Sequence, residues 1–329
     1  MKCAVTGAAG FIGSSLCAAL LDAGHDVVGI DAFTDFYPRH MKEANLRPAR
    51  EYGTFAFTEG SLLTLDLLET LKDAELVFHL AAQAGVRSSW GPDFAVYSDN
   101  NILATQRLLE ACRVTRPRRV VYASTSSVYG NAKQLPVAED ASPEPISPYG
   151  ASKLAAEQLC RLYHSNFGVP TLILRYFTVY GPRQRPDMAF HRFMRAGIEG
   201  NPIQVYGDGT QTRDFTYISD VVAVTQAAGT LGQDGHVYNI GGGSRWRLND
   251  ILTAIERTIN RPLRVTRLPV QPGDVRDTFA DTSRARRDLL FNPLVTVTEG
   301  LINEAAWVAE ALRTGLLSAD LDSRIAVAG

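Results

Sequence analysis

Three glycines near the N-terminus constrain the fold more than any other feature of this sequence. Gly7, Gly10 and Gly13 lie between a short apolar segment and a segment with helical periodicity. Glycines at this spacing permit a tight turn, a close approach of the backbone to a bound phosphate, and close packing of a helix on a strand. The following helix directs its unpaired N–H groups and positive dipole end at that phosphate. The turn therefore predicts a β-α-β unit that binds a dinucleotide.

An acidic residue is expected roughly 20 positions after such a turn, at the end of the second strand. Asp31 ends the apolar segment Val27–Ile30 and meets this expectation. Its carboxylate can accept hydrogen bonds from both ribose hydroxyls and repels a 2′-phosphate. The pattern therefore favours NAD over NADP as the cofactor.

Apolar segments and helical patterns alternate through the first half of the chain, which predicts an α/β fold with a doubly wound parallel sheet. After Thr178 the alternation loosens, and prolines interrupt it, which predicts a second, smaller α/β lobe. We assign residues 1–177 plus about 216–242 to the NAD-binding domain, and about 178–215 plus 243–329 to the second lobe. Only the last dozen residues are expected to fray. Predicted strands are Lys2–Thr6, Val27–Ile30, Glu75–Leu80, Arg119–Ser124, Thr171–Tyr176 and Val237–Ile240; predicted helices include Phe11–Leu21, Phe94–Val114, Pro148–Phe167, Ala189–Glu199, Leu248–Asn260 and Val297–Arg313.

Composition excludes several classes of function. The formal net charge of −2 provides no basic field for nucleic acid and no polybasic membrane patch. No apolar run has the length of a membrane helix, and a strand beginning at Lys2 leaves no room for a signal peptide. The four scattered cysteines are expected to be buried free thiols, and the histidine spacing predicts no metal site. We expect a cytoplasmic protein.

Tyr149 and Lys153 are the strongest catalytic candidates. Four residues apart on a helix, they share one face, where the ammonium can stabilise a phenolate and lower the tyrosine pKa. Such a phenol can act as a general base near neutral pH. A Ser/Thr cluster, Ser124–Ser127, precedes the pair. Together with the glycine turn, these residues predict proton transfer beside a redox cofactor.

These motifs resemble the extended short-chain dehydrogenases, and among them the nucleotide-sugar epimerases. The resemblance runs over nearly the whole chain and is closest to the UDP-glucuronate 4-epimerases. It is carried by the three glycines, Ser124–Gly130, Tyr149-x-x-x-Lys153, His79–Arg87, Arg175–Pro182, Gln211–Thr216, Arg185–Ala189 and Gln271–Asp274.

The resemblance implies roles for individual residues. Tyr149 is the acid/base, Lys153 binds the nicotinamide ribose, and Thr125 hydrogen-bonds the reacting hydroxyl. Ser61 stands where the family commonly has an aspartate that contacts adenine, and Gln271 stands where it commonly has arginine, so Arg276 is expected to supply that contact. The cofactor residues implied are Gly7, Gly10, Phe11, Ile12, Gly13, Asp31, Ser61, Leu62, Leu80, Ala81, Ala82, Asn100, Tyr149, Lys153 and Tyr176; the substrate residues implied are Arg87, Ser126, Ser127, Thr178, Arg185, Arg192, Arg213, Asp274 and Arg276.

The Ser/Thr cluster separates the reactions of this fold. Sugar 4,6-dehydratases require an acid/base pair where Ser126 and Ser127 stand, and UDP-glucuronate decarboxylases carry glutamate in place of Ser127. Oxidation of glucuronate at C4 produces a β-keto acid, which loses CO2 when its carboxylate lies perpendicular to the carbonyl plane. Hydroxyls from Ser126, Ser127 and Thr178 can instead hold that carboxylate in an unreactive orientation. These residues predict epimerisation of UDP-glucuronate to UDP-galacturonate.

Three alternatives stay open at this point: a 4-epimerase of neutral UDP-hexoses, a UDP-glucuronate decarboxylase, and a non-catalytic nucleotide-binding relative. Family members often form a homodimer through two long helices, and we expect a homodimer here. The face would use Leu103, Leu108, Leu154, Leu159 and Leu162, for which a core role is equally compatible.

Overall fold

The computed structural model describes residues 1–317 of the chain, and the end predicted to fray, 318–329, lies outside the described residues. Strands and helices alternate through the first half as predicted. The strands are β1 (Lys2–Thr6), β2 (Asp26–Asp31), β3 (Phe55–Glu59), β4 (Leu76–His79), β5 (Arg119–Thr125), β6 (Thr171–Tyr176), β7 (Thr178–Tyr180), β8 (Ile203–Tyr206), β9 (Thr212–Tyr217), β10 (Val237–Ile240), β11 (Arg245–Arg247) and β12 (Val265–Leu268). The helices are α1 (Phe11–Asp22), α2 (Arg39–Arg50), α3 (Leu67–Leu71), α4 (Phe94–Tyr97), α5 (Ala104–Thr115), α6 (Pro148–Phe167), α7 (Ala189–Glu199), α8 (Ile218–Ala227), α9 (Leu248–Ile259), α10 (Ser283–Leu289) and α11 (Val297–Arg313).

Seven of the strands between residues 1 and 317 form one parallel sheet in the order β10-β6-β5-β4-β1-β2-β3. Strands β4, β6 and β10 are buried along their whole length, as in sheets covered by helices on both faces. The strand order reverses between β1 and β4, which opens a crevice at the carboxyl ends of the strands. The prediction of a doubly wound parallel sheet is confirmed.

The second half of the chain builds two small sheets. One has the order β11-β9-β7, and the other pairs β12 with β8 in parallel. The chain returns to the large sheet through β10, as predicted, and α8 packs on α1. The residue boundaries that we assigned to the two lobes stay a prediction.

The predicted helix Phe94–Val114 is present in the structure, but its first half is not α-helical throughout. The structure has α4, then a π-helical turn at Ser98–Leu103, and only then α5. The turn directs Asn101 into the core, whereas Leu103, which we expected on the apolar face, is 48% exposed. Helical periodicity does not reveal such a turn because it shifts the register within a continuous helix.

Helix α6, which carries Tyr149 and Lys153, has clear start and stop signals. The Ser147 hydroxyl caps it by accepting a hydrogen bond from the N–H of Gly150, Pro148 occupies the first turn, and Gly168 ends it in a left-handed conformation. Tyr149 therefore lies in the first turn of α6, with Lys153 one turn later.

Two predictions about surface and core hold. Cys3, Cys17, Cys112 and Cys160 are all free and buried, as expected. Within the part of the chain that the structure describes, no helix combines the length and the hydropathy needed to cross a membrane.

A buried carboxyl on α11 supports the loop that follows β7. Glu304 is fully buried, and its Oε2 accepts a hydrogen bond of 3.0 Å from the N–H of Gly181. Burial raises the pKa of Glu304 well above its usual value. A raised folded-state pKa stabilises the protein below the unfolded pKa, and this stabilisation is lost as the pH rises through the folded pKa.

We therefore expect Glu304→Gln, which keeps the acceptor and cannot ionise, to stabilise the protein more at about pH 8.5 than at about pH 5. The difference in the free energy of unfolding is expected to exceed about 1 kcal/mol, because a buried carboxylate with incomplete hydrogen bonding costs at least that much. Urea denaturation at both pH values measures it. Equal effects of the substitution at the two pH values would contradict the assignment of a buried ionisation at Glu304.

Candidate active site

A cleft of about 2040 Å³ opens at the carboxyl ends of the strands of the large sheet. Its lining includes Ser124–Ser127 from the end of β5 and Tyr176–Val179 from the end of β6. Segments Asp35–His40, Gln83–Ser88 and Arg185–Ala189 complete its walls. The cleft therefore lies where ligands bind in doubly wound folds.

The glycine turn leaves no space for side chains. A Cβ at Gly13 would lie 2.0 Å from the Gly7 carbonyl oxygen, and one at Gly7 would lie 2.8 Å from the Ala81 nitrogen. Gly7 also has a φ of +72°, which glycine adopts without strain. The N-terminus of α1 has no side-chain cap, and Phe11 and Ile12 line the cleft. This bare, uncapped helix start fits the pyrophosphate of a dinucleotide.

Asp31 lies at the end of β2 beside this turn. One carboxylate oxygen accepts a hydrogen bond of 3.0 Å from the N–H of Ala9, and the other accepts one of 2.9 Å from the N–H of Phe33. Asp31 thus braces the glycine turn, and each oxygen retains a lone pair for a ribose hydroxyl. Its predicted contact with the ribose is compatible with this position.

Tyr149 and Thr125 meet in the cleft. Burial raises the pKa of Tyr149, whereas the positive charge of Arg185 and a hydrogen bond with Thr125 oppose the rise. The ring of Tyr97 packs edge-on against that of Tyr149, with centroids 6.3 Å apart. Arg185 is therefore a positive charge that opposes the raised pKa of Tyr149, and the same effect assigned to Lys153 from the sequence stays a prediction.

Lys153 lies one helical turn after Tyr149 and is buried. Its Nζ is 4.3 Å from the ring centroid of Tyr122. Among residues 1–317 its ammonium finds no hydrogen-bond or ion-pair partner. Burial lowers the pKa of Lys153 to about 7, and the charge of Glu157 opposes this shift. A buried ammonium without a hydrogen-bond partner, one helical turn after Tyr149, fits the hydroxyls of a nicotinamide ribose.

Three further hydroxyls line the cleft next to Thr125. Ser126 and Ser127 begin a short 3-10 turn after β5, and Thr178 begins β7. Thr125 Oγ1 donates to Ser127 Oγ at 3.2 Å and accepts from the Ser127 N–H, also at 3.2 Å. The predicted hydroxyls therefore line the same cleft as Tyr149, at the ends of the paired strands β5 and β6.

Arg185 projects into the same region. Its Nε and Nη2 each donate to Asp187, both at 2.9 Å, and its guanidinium carbon lies 5.5 Å from the ring centroid of Phe36. This bidentate pair leaves Nη1 for a ligand. Arg185 therefore places a positive charge near Tyr149 while its orientation is held by Asp187.

The other substrate candidates lie further along the cleft. Arg87 donates to Asp274 at 2.8 Å and stacks on the ring of Tyr206. Asp274 and Tyr206 both line the cleft, as does the exposed Arg192. Arg213 and Arg276 lie outside its lining: Arg213 donates to the carbonyls of Thr212 and Arg276, at 2.9 and 3.0 Å, and Arg276 to Thr210 Oγ1 at 3.0 Å. Their predicted contacts with substrate stay predictions.

The remaining cofactor candidates surround the glycine turn and the strand ends. Ala81 abuts Gly7, preceded by Leu80 and followed by the exposed Ala82, and Tyr176 lines the cleft. Ser61 Oγ accepts from the N–H of Leu63, and Leu62 is buried. Asn100 donates to the Val96 carbonyl of its own helix, whereas the neighbouring Asn101 is buried against the Gln83 backbone. The predicted contact of Asn100 with the cofactor therefore stays a prediction. Asn101 is the residue that contacts the segment after β4, through the backbone of Gln83.

Sequence reasoning missed the segment Asp35–His40, which follows β2 and forms one wall of the cleft. Phe36 lies against Arg185, and Tyr37 is only 8% exposed. No motif marks this segment, so only the folded chain reveals its position. Across the described residues no group of three or more His, Cys, Asp or Glu side chains could hold a metal ion.

Comparisons with known proteins agree with this geometry. A model of the NAD dependent epimerase/dehydratase family matches residues 3–241. A Bacillus subtilis protein, named uncharacterized UDP-glucose epimerase YtcB, is 47% identical over 311 residues, which are 94% of this chain and 98% of that protein. The UDP-glucuronate 4-epimerase of Thermodesulfobacterium geofontis is 38% identical over 312 residues, 93% of this chain and 95% of that protein.

A solved structure shares both fold and sequence with this chain. The crystal structure of the Bacillus cereus UDP-glucuronic acid 4-epimerase, in complex with UDP-glucuronic acid and NAD, has a TM-score of 0.92 at 46% identity. The match covers 94% of this chain and 99% of that one. It therefore extends well beyond the nucleotide-binding half.

Proposed function

The chain belongs to the NAD dependent epimerase/dehydratase family, and on that premise we propose that it converts UDP-glucuronate to UDP-galacturonate with NAD as cofactor. The observation that carries the proposal is one cleft wall on which Thr125 and Tyr149 lie beside the hydroxyls of Ser126, Ser127 and Thr178. The first pair suits proton transfer at a sugar hydroxyl, and the three hydroxyls suit a carboxylate. The reaction passes through a 4-keto sugar and avoids decarboxylation.

The residues at the glycine turn, together with Asp31 and Lys153, fit NAD. Gly7, Gly10 and Gly13, with the uncapped start of α1, would hold the pyrophosphate, and Asp31 would hold the adenosine ribose. Lys153 would bind the nicotinamide ribose. When bound, NAD supplies a hydride acceptor for C4 and returns the hydride, so that it acts catalytically.

Tyr149 carries the proton in both directions. As the phenolate, its oxygen takes the proton of the sugar 4-hydroxyl while the C4 ketone forms, and Thr125 hydrogen-bonds the sugar 4-oxygen. The ketone then presents its other face, and the Tyr149 hydroxyl returns that proton to the C4 oxygen as the C4–H bond re-forms. The positive charge of Arg185, which opposes the raised pKa of Tyr149, favours the first of these transfers.

The hydroxyls of Ser126, Ser127 and Thr178 would hold the substrate carboxylate close to the carbonyl plane. In that orientation the bond to the carboxyl carbon cannot overlap with the ketone, so CO2 is retained. Arg185 would add charge stabilisation through its free Nη1.

Substitution of Ser127 tests this assignment. We expect Ser127→Glu to yield a UDP-pentose as an additional product, because a second anion would displace the carboxylate from its hydroxyl partners. Ser127→Gln, of similar size and neutral, is the control and should give no UDP-pentose. Chromatography of the UDP-sugars measures both, and complete absence of UDP-pentose with Ser127→Glu would contradict the role of position 127.

The proposed function is tested by incubating the protein with UDP-glucuronate and, separately, with UDP-glucose. Formation of UDP-galacturonate from the first is the expected result. Conversion of UDP-glucose alone would overturn it in favour of a neutral UDP-hexose 4-epimerase, which the name of the Bacillus subtilis relative favours. Both assays resolve the products chromatographically.

We assign the UDP moiety to the part of the cleft that is lined by Arg87, Arg192 and Asp274. Arg87, Arg192, Arg213 and Arg276 would contact its phosphates or base, and Asp274 its ribose. The ion pair of Arg87 with Asp274 would then exchange partners when substrate binds.

A cytoplasmic homodimer completes the proposal. Leu162 on α6 is 55% exposed and Leu103 is 48% exposed, whereas Leu108 is fully buried in the core and cannot contribute to a dimer face. Buried free thiols suit a reducing compartment. Sedimentation of the full chain tests the dimer, and a monomer at all concentrations would contradict it.

A further inference from the structure

A buried histidine connects the glycine turn to the catalytic helix, and the reaction proposed above gives it no role. His79, the last residue of β4, is 1% exposed. Its Nδ1 lies 2.8 Å from Thr6 Oγ1, and its Nε2 lies 2.9 Å from Thr105 Oγ1. Thr6 ends β1 immediately before the glycine turn, and Thr105 lies in the first turn of α5.

The outer partners determine where each proton lies. The Thr105 hydroxyl donates to the Asn101 carbonyl at 2.7 Å, so its single hydrogen is used and it must accept from His79 Nε2–H. His79 Nδ1 then accepts from the Thr6 hydroxyl, whose oxygen accepts from the N–H of Ala81 at 3.1 Å. His79 is therefore the neutral Nε2–H tautomer, with every polar hydrogen of the chain satisfied. Burial and the nearby charge of Lys153 both lower the pKa of His79, to about 3, in agreement with this state.

The chain of hydrogen bonds continues through Asn101 to Tyr149. The Asn101 side chain accepts from the N–H of Gln83 at 2.7 Å and donates to the Gln83 carbonyl at 3.0 Å. Its second amide hydrogen bonds Ser152 Oγ at 2.9 Å, and the Ser152 hydroxyl donates to the Tyr149 carbonyl at 2.8 Å. Asn101 lies within the π-helical turn Ser98–Leu103, and such turns are frequent at functional sites.

We propose that His79 is a positioning residue. It fixes the segment 80–85, which we call the cofactor loop, relative to helix α6. Through Thr6 it holds Ala81, which abuts Gly7, and through Thr105 it holds the π-helical turn that carries Asn101. Asn101 in turn clamps Gln83, a residue of the cleft, and the first turn of α6. One chain of hydrogen bonds thus connects the cofactor loop with the backbone of Tyr149. The proposal rests on the proposed function only where turnover is the readout.

The tautomer is tested first, on the full chain labelled with ¹⁵N at histidine. We expect the His79 resonances, assigned by comparison with His79→Gln, to show a neutral imidazole protonated at Nε2 from about pH 5 to about pH 9. An Nδ1–H tautomer, or a charge change in this range, would overturn the proposed chain. This measurement needs no substrate, so its outcome is separate from that of the proposed function.

The positioning role is tested with Thr105→Val, which removes both bonds of that hydroxyl at nearly constant volume. We expect kcat for UDP-glucuronate to fall by about 10-fold to 100-fold with little change in KM, because misplacement by about 1 Å costs up to about 100-fold. Thr105→Ser keeps the hydroxyl and should restore the rate. Thr115→Val, at the end of the same helix, removes a comparable bond to a backbone carbonyl and should leave kcat unchanged.

A double substitution distinguishes one chain from separate local effects. Thr105→Val and Ser152→Ala interrupt the chain on opposite sides of Asn101, so their combined effect on kcat is expected to be smaller than the product of the single effects. Multiplicative effects, or a Thr105→Val variant that behaves like Thr115→Val, would overturn the positioning role. If the wild-type chain does not turn over UDP-glucuronate, the proposed function fails, and the thermal shift on adding NAD replaces kcat as the readout.

Discussion

Replacement of Tyr149 by phenylalanine is expected to lower kcat for epimerisation by about 100-fold to 10,000-fold, the range typical for loss of a general acid/base. The substitution removes only the hydroxyl, so the ring contact with Tyr97 and the cap of α6 at Ser147 should persist. KM for UDP-glucuronate and the thermal shift on adding NAD should change little, because the hydroxyl acts at the reacting C4 oxygen. Initial rates with UDP-glucuronate measure the effect.

Tyr163→Phe is the matched control for this prediction. Tyr163 lies on the same helix, and its hydroxyl donates to Glu110 away from the cleft. We expect this variant to retain turnover within a few-fold. Undiminished turnover of Tyr149→Phe would refute the proton-transfer role and leave Thr125 as the nearest alternative.

Loss of a fully buried ion pair is expected to have the largest effect on stability. Arg175 on β6 and Glu157 on α6 are 1% and 0% exposed, and Arg175 Nη2 lies 2.7 Å from Glu157 Oε2. Arg175→Met would leave the Glu157 carboxylate buried without its cation, which costs about 3–5 kcal/mol. Urea denaturation at neutral pH measures the loss.

A second pair on the surface provides the comparison. Arg39 donates to Glu59 through Nη1 and Nη2, both at 2.7 Å, and to Glu43 through Nε, yet the Arg39 and Glu59 side chains are 51% and 50% exposed. Arg39→Met should therefore cost only about 0–1 kcal/mol. Adding Glu157→Leu to Arg175→Met should recover much of the lost stability, because it removes the unpaired buried charge. Equal losses for the two arginine variants would show that burial does not control the strength of these pairs.

Local patterns predicted the parts of the site that lie within a few residues of one another. The glycine turn, the start of α1 and the pair Tyr149 and Lys153 each depend on a spacing along one turn or one helix. Their geometry follows from backbone preferences and helix periodicity, which do not depend on the rest of the chain. Asp31 was predictable for a similar reason, because a β-α-β unit has a narrow range of lengths.

The environment of Tyr149 was not predictable in this way. Arg185 reaches it from the loop after β7, and Phe36 supports Arg185 from the segment after β2. The π-helical turn that selects Asn101 rather than Asn100 leaves no mark in the hydrophobic pattern. These contacts join residues far apart in the sequence, and their positions depend on how helices and loops pack on the sheet.

The fold class and the glycine turn followed from short-range patterns, because local geometry and residue chemistry are sufficient for them, whereas the acid/base role of Tyr149 stays a prediction. The folded chain alone shows which charge opposes the raised pKa of Tyr149, which hydroxyls line the cleft with it, and how His79 connects the loop after β4 to α6. The physical reason is that electrostatic and hydrogen-bond energies depend on distance and burial in the folded chain. Residues remote in sequence acquire those distances only when the parallel sheet brings the ends of its strands together.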